Sequence, residues 1–158
     1  MTTEITINEI YSMAANMEQS AIELYNKLAE MASDDNIKQA YLGLTAIESK
    51  HKVTFNNMFE NSKNDQAEAK QAGSSDLYLK ALMDGIVPED ISSLPQRITS
   101  NKDALELALF HEGKAVEFYE GVKQYISPDY YADIDQIINE EKEHEVLIKQ
   151  LISTITPA

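Results

Sequence analysis

The chain has no cysteine, no run of apolar residues near the ~18 that a membrane span needs, and far fewer basic than acidic side chains. Each absence removes a class of function. Without cysteine there are no structural disulfides, thiolate nucleophiles, cysteine-ligated zinc sites or iron–sulfur clusters, and a reducing compartment is the natural home. The first ten residues lack a basic stretch followed by an apolar one, so no secretory leader is expected and the protein is expected to be cytoplasmic, with no membrane partner. Thirteen Lys and Arg stand against 27 Asp and Glu, a formal charge of −14. That field repels phosphate backbones and anionic lipids, so no nucleic-acid partner is expected.

Strand-like alternation is also missing. Apolar residues recur instead at three- and four-residue intervals in four segments, about 7–31, 36–60, 101–125 and 128–153, which predicts an all-α fold. Thr6 and Glu9 have the spacing of a capping box, Ser33-Asp34-Asp35 breaks the first helix and caps the second, and Ser127-Pro128 separates the last two. Short turns make each pair an antiparallel hairpin. The forty or so residues between the second and third helices suffice for a crossover along a 25-residue helix, roughly 38 Å long, which sets the third helix parallel to the second. Within this connection, residues 61–75 are polar and expected to be exposed, 76–83 read as a short helix stopped by Gly85, and Pro88 and Pro95 are expected to keep the rest extended. One domain, residues 1–158, accounts for the whole sequence, which is long enough to bury about 70% of its unfolded surface.

The two halves repeat. A shift of 94 residues lays the first helix on the third and pairs Ala14 with Ala108, Glu18 with Glu112, Ala21 with Ala115 and Tyr25 with Tyr119; a shift of 93 lays the second on the fourth and pairs Glu48 with Glu141 and His51 with His144. Register places the polar members of this repeat on the apolar stripes. Ala14, Glu18, Ala21, Tyr25 and Leu28 step by four and three, as do Ala108, Glu112, Ala115, Tyr119 and Val122. Tyr41, Leu44, Glu48, His51, Phe55 and Met58 do the same, matched by Ile134, Ile137, Glu141, His144, Ile148 and Leu151.

Four carboxylates meeting in a core repel by about 4 kcal/mol per pair at ~4 Å even at an effective dielectric of 20. They must either take up protons or hold cations. Two divalent ions balance four carboxylates, with Glu48 and Glu141 bridging and Glu18 and Glu112 terminal, and the i, i+3 spacing lets each imidazole share an ion with its neighbouring glutamate. Oxygen-rich ligation with one imidazole per ion suits iron or manganese. The alternative for each Glu-x-x-His alone is a solvated glutamate near a histidine. His111 lies about 100° around its helix from Glu112 and is expected to be a partly exposed structural residue. Glu140 and Glu143 are expected to lie off the stripe. Tyr25 and Tyr119 are either plain core or donors to the ligand carboxylates, since a buried hydroxyl needs a partner.

Four segments, Met17 to Tyr25, Ala46 to His51, Glu112 to Tyr119 and Glu140 to His144, together resemble the rubrerythrin branch of the ferritin-like superfamily over nearly the whole chain. The resemblance implies a ferritin-like four-helix bundle with two iron ions held by Glu18, Glu48, His51, Glu112, Glu141 and His144, and the hydroxyls of Tyr25 and Tyr119 beside them. It further implies an oxidoreductase that reduces hydrogen peroxide in oxidative-stress defence, in a protein that pairs as a homodimer. Oxidation of Fe(II) by dioxygen, or metal binding without catalysis, are the alternatives. Two features depart from rubrerythrins. The four cysteines of their rubredoxin domain are absent, so electrons must come from an external donor protein, and the extra carboxylate three residues from Glu112 is replaced by Leu109 on one side and Ala115 on the other.

Overall fold

A computed structural model describes residues 6–63 and 90–155. The expected exposure of 64–75, the short helix at 76–83 and the Pro88 region lie outside the described residues.

Local chemistry sets the helix ends. Thr6 Oγ1 accepts the Glu9 N–H at 3.2 Å while the Thr6 N–H donates to the Glu9 carboxylate at 2.7 Å, closing the capping box that starts α1 (Ile7–Met31). Ala32 turns extended, and Asp34 accepts the Ile37 N–H at 3.0 Å to start α2 (Asp35–Ser62). A 3₁₀ turn at Ile91–Ser93 leads into α3 (Leu94–Arg97). The expectation of extended chain around Pro95 is therefore corrected: proline sits in the first turn of this short helix, where its missing N–H costs no hydrogen bond. Ser100 caps α4 (Asn101–Lys123) through the Asp103 N–H. This helix stops two residues before the sequence pattern suggested, because the N–H groups of Gln124 and Tyr125 donate three residues back, to Gly121 and Val122, and tighten the last turn. Pro128 opens a 3₁₀ turn, Pro128–Tyr130, that runs straight into α5 (Tyr131–Ile155).

The four long helices form a bundle. α1 packs along α2 and α4 along α5, and the two hairpins meet through α1 with α4 and α2 with α5. Tyr25 of α1 reaches Glu112 of α4 while Glu18 of α1 reaches Tyr119 of α4, so these two helices run antiparallel. With each hairpin antiparallel, α2 and α4 are then parallel, as the long connection requires.

The core is two apolar clusters with a polar layer between them. Ile10, Tyr11, Ala14, Phe55, Phe118, Tyr119, Val122 and Ile134 belong to one; Leu24, Tyr25, Leu28, Tyr41, Leu44, Leu105 and Ile148 belong to the other. Along every long helix the chain passes from one cluster to the other through a glutamate or a Glu-x-x-His. Each large side chain buried in these clusters contributes about 1.5–3 kcal/mol, which offsets the cost of placing ionisable groups between them. Among the described residues no helix is long and apolar enough to cross a membrane.

Candidate metal centre

Glu18 comes from α1, Glu48 and His51 from α2, Glu112 from α4, and Glu141 and His144 from α5. All are buried. Their side chains converge as two overlapping groups, Glu18, Glu48, His51 and Glu141 in one and Glu48, Glu112, Glu141 and His144 in the other, each able to offer ligand atoms within 4.8 Å of one another. Glu48 and Glu141 are common to both. The structure thus brings together all six residues singled out by the repeat, with the glutamates of the two Glu-x-x-His motifs in the shared positions and Glu18 and Glu112 at the outer ones.

Each imidazole turns Nδ1 toward three carboxylates. His51 Nδ1 lies 3.1 Å from Glu141, 3.2 Å from Glu48 and 3.6 Å from Glu18. His144 Nδ1 lies 3.2 Å from Glu141, 3.4 Å from Glu48 and 3.5 Å from Glu112. The two rings are nearly parallel, with centroids 6.3 Å apart.

Proton affinities follow from this crowding. Burial, reinforced by neighbouring carboxylates, pushes Glu18 and Glu112 well above the usual carboxylate range. Burial acts the same way on Glu48, but hydrogen bonds from His144 and His51 outweigh it and hold this carboxyl low. For Glu141, burial and the Glu48 charge push upward, while hydrogen bonds with Glu112, His144 and His51 prevail and bring it below its ordinary value. Burial would lower both histidines; hydrogen bonds to the carboxylates reverse this, taking His144 up to about 12 and His51 higher still. Without cations, protons hold the cluster together.

Both tyrosines donate, and they do so across the bundle. The Tyr25 hydroxyl bonds Glu112 of the opposite half and the Tyr119 hydroxyl bonds Glu18. Tyr119 stacks on Phe55, with centroids 5.2 Å apart, and Tyr25 on Tyr41, at 6.1 Å, so each hydroxyl is aimed by a packed ring. The reading of these residues as plain core is thereby set aside. Replacing Tyr119 by phenylalanine removes the donor from a fully buried carboxyl and is expected to lower the stability of the metal-free protein by about 1–3 kcal/mol in urea unfolding.

One expectation needs correction. His111 is buried, not partly exposed, with its ring edge-on to Tyr25 at 5.8 Å; it belongs to neither ligand group. Glu140 is off the α5 stripe, yet its carboxylate lies 2.6 Å from His51 Nε2, reached across the seam between α5 and α2. The repeat held a signal for both. Their counterparts are Met17 and Ile47, apolar residues that mark these positions as facing a neighbouring helix. Glu143 is exposed, as expected.

The donor set suits two hard divalent cations: four carboxylates match four positive charges, and no thiolate is present to favour a soft metal. Glu112 Oε2 is buried and accepts no hydrogen bond among the described residues, which leaves a lone pair for an ion.

The chain matches no protein-family model and no curated protein. Among solved structures it is similar to a candidate ferritin-like diiron-carboxylate protein from Thermotoga maritima, with a TM-score of 0.78 and 21% identity over 99% of this chain and all of the other. The chain therefore folds as a ferritin-like four-helix bundle, with a buried carboxylate and histidine cluster at its centre.

Proposed function

We propose that the cluster holds two iron ions and that the protein is an oxidoreductase that reduces hydrogen peroxide with electrons from a separate donor protein. The observation that carries the reading is the sharing of Glu48 and Glu141 between the two ligand groups, which supports a paired site over a single-ion one. The description of the Thermotoga protein as diiron-carboxylate supports iron. Resemblance of the ligand segments to rubrerythrins supports peroxide.

When bound, two ferrous ions supply one electron each, which with two protons converts hydrogen peroxide to two waters. The chain does the rest. Glu18, Glu48, His51 and Glu141 would hold one ion and Glu48, Glu112, Glu141 and His144 the other, with each imidazole offering Nδ1. Tyr119 and Tyr25 fix the orientation of Glu18 and Glu112 and keep a hydroxyl proton at the edge of the cluster. The apolar clusters above and below exclude bulk water. Since these 158 residues contain no cysteine, the reductant's redox centre lies on another protein or segment.

Stopped-flow oxidation of the anaerobically Fe(II)-loaded protein tests the reading. Peroxide is expected to oxidise the centre faster than dioxygen at equal concentration. Faster oxidation by dioxygen would replace peroxide reduction with a ferroxidase role, and uptake of less than one iron per chain would remove the centre altogether.

A further inference from the structure

The repeat makes the six candidate ligands symmetric but leaves their surroundings unequal. His51 Nε2, the nitrogen turned away from the cluster, meets Glu140 at 2.6 Å, and the other oxygen of Glu140 accepts from the Gln136 side-chain amide at 3.3 Å. Both oxygens of this carboxylate are engaged. In the other half the counterparts of Glu140 and Gln136, 93 residues earlier, are Ile47 and Gly43. Isoleucine cannot accept a hydrogen bond and glycine has no side chain. In keeping with this, His144 Nε2 is buried and has no hydrogen-bond partner among the described residues.

This difference bears on ion binding. A carboxylate that accepts the Nε2–H fixes the ring orientation, keeps the Nδ1 lone pair for a cation, and makes that nitrogen a better donor; losing such a partner typically costs 10–100-fold in metal affinity. His51 has this support and His144 does not. Building on the two-ion reading above, we propose that Glu140 is a positioning residue that makes the two metal positions unequal, so that the position formed by Glu18, Glu48, His51 and Glu141 fills before the one formed by Glu48, Glu112, Glu141 and His144.

Glu140 also stands where it can be changed safely. Its side chain is 35% exposed and lines a surface cavity of about 320 Å³ together with Lys50, Thr54, Asp133 and Gln136, so its removal leaves the packed clusters intact.

Anaerobic titration calorimetry with Mn(II) on the full chain reads the steps directly. The unaltered protein is expected to bind two ions in two resolved steps. Glu140→Ala is expected to weaken the tighter step by about 10–100-fold and to bring the two affinities together, with two ions still bound. Glu140→Gln keeps a carbonyl oxygen able to accept the Nε2–H and is expected to recover part of that loss, which a loss of surface charge alone would not produce. Two ions bound by Glu140→Ala with both affinities within threefold of the unaltered protein would overturn the inequality and leave the metal centre standing. Failure of the unaltered protein to bind Mn(II) would overturn the metal centre and this inference with it.

Discussion

Glu48→Ala is expected to take metal uptake from two ions per chain to none, measured by elemental analysis after anaerobic loading and gel filtration. Glu48 belongs to both ligand groups, so its loss removes a carboxylate from each position at once. Three carboxylates remain, too few to balance two divalent ions, and neither position keeps its full set of ligands. Glu18→Ala is the informative contrast: Glu18 belongs to one group only, so uptake should fall from two ions to one. Glu48→Gln keeps the volume and hydrogen-bonding capacity while removing the charge, and should behave like the alanine variant. Uptake of two ions by either Glu48 variant would show that this residue is not shared.

Loading the metal-free protein with two divalent ions near pH 7 is expected to release at least two protons, one each from His51 and His144, which hydrogen bonds to the carboxylates hold far above the usual imidazole range. Before loading, two imidazolium groups balance the carboxylates of Glu48 and Glu141. After loading, four carboxylates and two neutral imidazoles face two divalent ions, and the charges sum to zero. By linkage the overall binding constant for the pair should rise by at least about two decades per pH unit in this region. Calorimetry in buffers of different protonation enthalpy counts the protons, and release of fewer than one would show that the cluster is already deprotonated.

Stability of the metal-free protein carries the same signature. Glu18 and Glu112 contribute stability that is full below their ordinary value of 4.5 and is lost as pH rises through their raised values in the fold. His51 and His144 contribute stability that is full below 6.5 and is lost as pH rises through theirs, about 12 for His144. Glu48 and Glu141 act in the opposite sense, with stability present above 4.5 and lost as pH falls. The cluster's contribution is therefore greatest near pH 4.5 and declines above it, with the histidines adding to the decline above 6.5. Bound ions should reverse the alkaline decline, since deprotonation is what lets them bind. Thermal melts of the metal-free and loaded protein between pH 5 and 9 would display the crossing trends.

By itself the sequence determined the four long helices, their pairing and the six residues at the centre. Periodicity sufficed because helical register is local: a glutamate three or four residues from alanine, tyrosine and leucine on the same stripe must enter the core wherever that stripe is covered. Duplication of the stripe in the second half added the facing surface. The long connection between α2 and α4 set their relative direction through its length alone.

Contacts between helices were decided only in three dimensions. Tyr25 bonds Glu112 and Tyr119 bonds Glu18 because α1 and α4 run antiparallel, which crosses the two halves of the repeat in a way no spacing along one helix expresses. Register on α5 places Glu140 off the stripe because it measures the angle from Glu141, whereas its partner, His51, sits on another helix. His111 was misjudged for the same reason, its burial coming from Tyr25 of α1. The sequence specifies which residues converge, since that follows from each helix's own periodicity. Which of the two histidines receives a carboxylate on its outer nitrogen depends on how side chains from two helices interlock, and only the packed bundle fixes that.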